Sequence, residues 1–270
     1  MAAVGVVADT EQMSKKRILV VGCSFTNDCG FTEVNRPKFH WPWLLSNHYD
    51  CYFQNAGLGG SSNEEIFNRA IEILANNKFD LVIVLWSSIG RKWAFFEDHN
   101  IDDFTILNNG IINGFIPDIR TAQKYADLHY KSFNNQYVNI KNWLIQIIVL
   151  ENFCKQAGQP FIFIKGFDNH ITDIINSTYT IDSGFVGIDS IKYMLDFNHR
   201  PDYYINLKLQ ELKNLINKID QTNWINFNSN AFTHANYFVD VADDNKHPGP
   251  ITNNKLYLNL INHITQQQIW

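Results

Sequence analysis

The chain has 270 residues, of which 45% are apolar and 18% charged, and its formal net charge is −5. That length and apolar content suit one large domain with a buried core, and an acidic balance with no basic cluster longer than Lys15-Lys16-Arg17 excludes the basic face of a nucleic-acid binder. No apolar run reaches the roughly 18 residues of a membrane span, and the 4 cysteines (Cys23, Cys29, Cys51, Cys154) contain no C-x-x-C pair, which leaves no zinc ribbon or disulfide framework and predicts reduced thiols.

Residues 1–16 read as an N-terminal extension and 17–270 as a single domain. The opening MAAVGVVADT lacks the basic n-region and long apolar h-region of a signal peptide, so a cytoplasmic location is expected. Met13, followed by Ser-Lys-Lys-Arg and then a strand, reads as a natural start. Ile18–Val21 is a short apolar, β-branched run ending in Gly22, which predicts a buried strand. His40-Trp41-Pro42-Trp43 reads as the start of a core-facing helix. A weaker strand is expected from Tyr49 to Gln54, ending at Asn55-Ala56-Gly57. Ile66, Phe67, Ala70, Ile71, Ile73 and Leu74 recur at helical spacing over 63–76, with Ser62 as N-cap and Glu64 and Glu65 where the helix dipole favours them.

Phe79–Trp86 (FDLVIVLW) is the clearest buried strand. Residues 138–157 form an apolar helix closed by Gly158 and Pro160, followed by a strand at Phe161–Ile164. An amphipathic helix over 204–219, a strand at Trp224–Phe227 and a last helix over 253–267 complete the pattern. Strands alternating with helices imply a parallel sheet with right-handed crossovers. Two stretches, 95–137 and 166–203, fit no such period and read as insertions near the carboxyl edge of the sheet, where open α/β folds bind ligands.

Three motifs carry candidate chemistry. Gly22-Cys23-Ser24-Phe25-Thr26 follows the first strand directly, so the Ser24 hydroxyl is presented at the sheet edge and its amide can point at a developing oxyanion. Taken alone, Gly-x-Ser after a strand is often only a turn. Asn55-Ala56-Gly57-Leu58-Gly59-Gly60-Ser61-Ser62-Asn63 follows the second strand; its glycines let the backbone approach a ligand closely, or simply form a turn before a capped helix. It lacks the Gly-Lys-Ser/Thr ending of a phosphate-binding loop. Asp244-Asn245-Lys246-His247-Pro248-Gly249 places a carboxylate three residues before an imidazole, within reach of its Nδ1, though such a composition also suits a plain surface turn.

Together, in the order Ser, Gly, Asp, His, these blocks resemble the SGNH (GDSL-like) hydrolase superfamily. Gly22-Cys23-Ser24-Phe25 is similar to its first block, Asn55 to Gly60 to its second, and Asp244 to Pro248 to its last, over about residues 17 to 262. The resemblance implies an α/β fold: a flavodoxin-like three-layer α/β/α sandwich around a mostly parallel five-stranded sheet, here with two insertions. It implies a catalytic triad of Ser24, Asp244 and His247, and an oxyanion hole from the amides of Ser24 and Gly60. No metal or cofactor is implied. Cys23 stands where the family usually has aspartate; the thiol is an alternative nucleophile, but the Asp and His spacing favours Ser24. The third block departs further: the family's Gly-x-Asn-Asp is replaced by Ser87-Ser88-Ile89-Gly90-Arg91, so the oxyanion-binding Asn is missing. Ser87, Ser88, Arg91 or a side chain from an insertion would have to substitute for it, or the enzyme is slow. Trp86, Arg91 and Asn63 are the candidates for lining a substrate pocket. His99, His129, His170, His199 and His234 show no metal-ligand spacing among themselves.

The resulting expectation is a serine esterase acting on a small-molecule or carbohydrate ester, for instance an O-acetyl group on a sugar. The missing Asn motivates an alternative: a catalytically weak or inactive binding or assembly protein on the same fold. A flavin or nucleotide protein of the same topology is disfavoured by the lack of a phosphate loop. The chain is also similar to SGNH-like proteins of bacteria and their phages, and a phage origin would imply association with a virion or host cell.

Overall fold

The computed structural model describes residues 15–27, 30–89, 91–94, 104–107, 110–113, 124, 135–166, 201–226, 240, 242–244 and 247–270. Five strands form one parallel sheet: β1 (Arg17–Gly22), β2 (Tyr52–Gly57), β3 (Leu81–Trp86), β7 (Phe161–Lys165) and β8 (Trp224–Asn226). Their order is β2-β1-β3-β7-β8, the doubly wound arrangement whose switch point lies between β1 and β3. Helices cover both faces, giving a three-layer α/β/α sandwich. α3 (Asn63–Asn76), α4 (Gln136–Gln156) and α5 (Asp202–Ile216) pack side by side on one face. α1 (Arg36–Phe39), α2 (Trp41–Tyr49) and α6 (Pro250–Gln266) form the other.

Coverage on both faces explains why β1 and β3 are continuous apolar runs: Leu81 to Trp86 are all buried. Trp86 has no exposed surface and packs edge-to-face against Trp143 and Phe163, with ring centroids 6.5 and 5.7 Å apart. It belongs to the core. The expectation that it lines a substrate pocket is corrected, because its ring is taken up in the aromatic packing with Trp143 and Phe163.

Local chemistry sets the ends of the elements. Ser62 caps α3 in a reciprocal capping box with Glu65, which contributes about 1 kcal/mol. Pro42 and Pro250 stand in the first turns of α2 and α6. Gly249 offers α6 no side-chain cap; the Asp240 carboxylate supplies it, accepting from the amides of Ile251 (2.7 Å) and Thr252 (2.9 Å). The strand expected from Tyr49 begins instead at Tyr52. Helix α2 runs through Tyr49 and closes on Asp50 at φ 45°, a left-handed position that Asp tolerates.

β4 (Lys92–Ala94), just before the stretch read as an aperiodic insertion, and β5 (Phe104–Leu107) and β6 (Gly110–Asn113), within it, make a separate antiparallel sheet. The signal was present in the sequence: two β-prone segments separated by Asn108-Asn109, the spacing of a tight hairpin. The 166–203 insertion lies largely outside the described residues, as do His99, His129, His170, His199, His234 and Cys29. Cys23, Cys51 and Cys154 are free and buried.

Helices α4 and α5 are joined by a polar clasp. The Tyr137 hydroxyl donates to Glu211, which also receives Lys208 (2.7 Å) and Lys141 (3.2 Å). Lys208 and the Tyr137 hydroxyl, aided by Lys141, hold the Glu211 carboxyl down at about 2. A carboxyl depressed in the folded state stabilises it above the ordinary value of 4.5 and loses that effect as pH falls through about 2. Glu211→Gln is therefore expected to lower the melting temperature by roughly 2 °C at neutral pH. In a series of thermal melts the difference should shrink steadily as pH is taken from 4.5 towards 2.

Candidate active site

Ser24 follows β1 at the carboxyl edge of the sheet, on the β1 side of the switch point. The chain turns sharply there: the Cys23 carbonyl accepts from the amides of both Thr26 (2.9 Å) and Asn27 (3.0 Å). A Cβ at Gly22 would lie 2.1 Å from Thr26 Oγ1, so the turn requires glycine at that point. Cys23 is wholly buried, whereas Ser24 keeps 7% of its surface. Among the described residues, neither the Ser24 hydroxyl nor its amide is engaged by another protein group.

The second block packs directly on this turn. Asn55 donates from Nδ2 to the Thr26 carbonyl (2.9 Å) and accepts at Oδ1 from the Gly57 amide (2.9 Å). The Leu58 amide donates to the Gly22 carbonyl at 3.0 Å. Gly60 follows at φ 82°, a left-handed conformation, and its amide has no protein acceptor among the described residues. Beneath this loop lies Arg69, whose guanidinium donates to the Ala56 carbonyl (3.1 Å) and to Ser61 Oγ (3.4 and 3.5 Å). Arg91 donates to the Ser61 carbonyl at 3.4 Å. Two cations thus brace the glycine turn from behind. Arg69 was not singled out in the sequence, since an arginine seven residues into a helix carries no local sign of this contact.

The third block is held by Asn63. Its Oδ1 accepts from the Ser87 amide (2.7 Å) and its Nδ2 donates to the Ser87 carbonyl (3.1 Å). Asn63 is 6% exposed, and its carboxamide holds the backbone at the end of β3. Ser87 is fully buried and its hydroxyl has no partner among the described residues, while Ser88 is half-buried and its carbonyl accepts from the Arg91 amide at 3.2 Å. Asn63, Glu64, Ile89 and Arg91 line a cavity of about 210 Å3 with Asn139, Asn142, Trp143, Ile145 and Gln146 of α4.

Asp244 and His247 meet across one turn. The Asp244 carboxylate takes His247 Nδ1 through Oδ2 and the His247 amide through Oδ1 (3.0 Å). Their side chains are 33% and 22% exposed. The turn docks on the loop that follows Ser24. A Cβ at Gly30, which sits at φ 94°, would come within 2.9 Å of His247 Cβ and 3.1 Å of Asp244 Oδ1. Asp243 accepts from Asn35 Nδ2 at 3.1 Å and so tethers the same turn to residues before α1. The His247 ring stands edge-on to Phe25, centroids 6.3 Å apart, and makes no hydrogen bond to Ser24 among the described residues. The fold thus brings the imidazole to the residue beside the candidate nucleophile. Among the described residues no cluster of His, Cys, Asp or Glu is arranged to hold a metal ion, and no helix is long and apolar enough to cross a membrane.

No family model and no curated protein sequence matches the chain. Among solved structures it is similar to the psychrotrophic esterase EstA from a Pseudoalteromonas species (11% identity, 94% of this chain and 98% of that one, TM-score 0.43). It is also similar to a GDSL-like lipase from Bacteroides thetaiotaomicron (10% identity, 93% and 89%, TM-score 0.44). A third is a catalytic mutant of an acetylxylan esterase from Geobacillus stearothermophilus (14% identity, 92% and 94%, TM-score 0.44). By its sequence blocks and its strand order, the chain resembles the SGNH hydrolases.

Proposed function

We propose that the chain is a serine ester hydrolase. The observation that carries this reading is the Asp244–His247 pair, seated against the residue after Ser24 at the carboxyl ends of a parallel sheet. With its Nδ1 proton committed to Asp244, the imidazole offers Nε2 as its base. His247 takes the Ser24 proton as Oγ attacks the ester carbonyl, and returns that proton to the departing alkoxide. A water molecule, deprotonated by His247, then attacks the acyl-serine; the acid leaves and Ser24 regains its proton. Negative charge on the tetrahedral oxygen falls to the amides of Ser24 and Gly60. In this scheme Asn63 fixes the third block, and Ser88 or Ser87 takes the position of the missing donor. The resemblance to SGNH hydrolases favours an ester such as an O-acetyl group on a carbohydrate as the substrate.

A non-catalytic binding protein on the same fold is the second reading. Two observations favour it: the serine pair in place of the third-block Asn, and the open Ser24–His247 contact. Labelling with a fluorophosphonate separates the two. Covalent modification at Ser24 supports the hydrolase; an unlabelled chain that retains glycans on an array supports the binder.

A further inference from the structure

We infer that Asn253 and Trp41 are positioning residues that fix the His247 turn relative to the Ser24 turn. The inference rests on the hydrolase reading above, in which those two turns must meet. Asn253, in the first turns of α6, is 4% exposed. Its Nδ2 donates to the carbonyls of Pro248 (2.9 Å) and Gly249 (3.1 Å), and its Oδ1 accepts from the Trp41 amide (3.2 Å). Trp41 opens α2, so its amide has no acceptor within its own helix. Its side chain, 1% exposed, donates from Nε1 to the Phe25 carbonyl at 2.8 Å.

These bonds form one buried relay. At one end it grips the residue directly after His247; at the other, the residue directly after Ser24. Both side-chain donors of Asn253, its acceptor and the indole donor are all in use, so the relay has little freedom to lengthen. It spans the two layers that must register: the switch-point turn after β1, and the N-terminus of α6. Neither side chain hydrogen-bonds Ser24, Asp244 or His247 among the described residues. Its effect is on the gap between hydroxyl and imidazole, not on the chemistry of either. Displacement of a reacting group by about 1 Å costs about 10²-fold in rate.

The test uses Trp41→Phe, which deletes the indole donor and keeps the ring and the backbone amide, and Asn253→Ala. Each should lower kcat for p-nitrophenyl acetate by about 10- to 10²-fold with KM nearly unchanged. The double variant should be no slower than the slower single one, since both cut the same relay. Gln159→Ala serves as the structural control. It loses buried bonds to the Phe79 backbone (3.0 and 2.7 Å), and should lower the melting temperature while sparing kcat. The His247 imidazole resonances, read by proton NMR without substrate, should move in Trp41→Phe. An unchanged kcat, losses that multiply in the double variant, or unmoved His247 resonances would overturn the inference. A wild-type chain that hydrolyses nothing while its His247 resonances still follow Trp41 refutes the hydrolase reading and leaves the link between the turns standing.

Discussion

Ser24→Ala is expected to abolish turnover of p-nitrophenyl acetate, with kcat falling by about 10⁶-fold, while the melting temperature stays that of the parent chain. The two halves of this expectation have separate grounds. The loss is large because nucleophile and base act as a unit: without Oγ no acyl-enzyme forms, and only the oxyanion donors and binding remain. The fold is spared because the Ser24 hydroxyl anchors nothing among the described residues. The sharp turn around it is held by the Cys23 carbonyl, by Asn55 and by the bare face of Gly22. Cys23→Ala provides the contrast. That thiol has no exposed surface, so its removal should leave turnover intact, and loss of activity there would move the nucleophile from Ser24 to its neighbour. Steady-state kinetics on both variants, alongside thermal melts, decides the matter.

Asp244→Asn should lower kcat by about 10⁴-fold without loosening the turn. The Asp244 carboxylate has two tasks: Oδ1 accepts the His247 amide at 3.0 Å, and Oδ2 accepts from the ring at Nδ1. Asparagine keeps the first through its carbonyl oxygen but presents an NH2 group to the ring. Nδ1 must then become the acceptor, the imidazole proton moves to Nε2, and the base that should receive the serine proton is lost. The same change withdraws the negative charge that stabilises the imidazolium. A loss confined to KM, or none, would show that the Asp244–His247 pair serves only to shape the turn.

Much of this arrangement was legible because its causes are local. Leu81 to Trp86 read as a buried strand since a parallel sheet covered on both faces needs an unbroken apolar run. Ser62 and Glu65 stand three positions apart, as do Asp244 and His247; the N-cap and the acid–imidazole pair both appear in the sequence as spacings. What escaped was set by contacts between distant segments. Asn253 and Trp41 are 212 residues apart, and nothing around either one announces the other. Asp240 caps α6 from 11 and 12 residues away, where a local reading looks for a cap at Gly249 and finds no side chain. Asn63 lines a cavity beside α4, but nothing near it in the sequence announces its bonds to the Ser87 backbone 24 residues on. Trp86 is a candidate pocket residue by sequence, yet the aromatic packing with Trp143 and Phe163 takes it into the core. The short strands β5 and β6 were missed for the opposite reason: their signal was local, but the surrounding stretch lacked any helical period against which to set it.

A crystal structure of the chain after reaction with a fluorophosphonate examines the meeting of Ser24 and His247 most directly. The predicted result is phosphorus bonded to Ser24 Oγ, its free oxygen received by the amides of Ser24 and Gly60, and His247 Nε2 within hydrogen-bond reach of an adduct oxygen. An adduct on another residue, or an imidazole that stays turned away from a modified Ser24, would contradict the account.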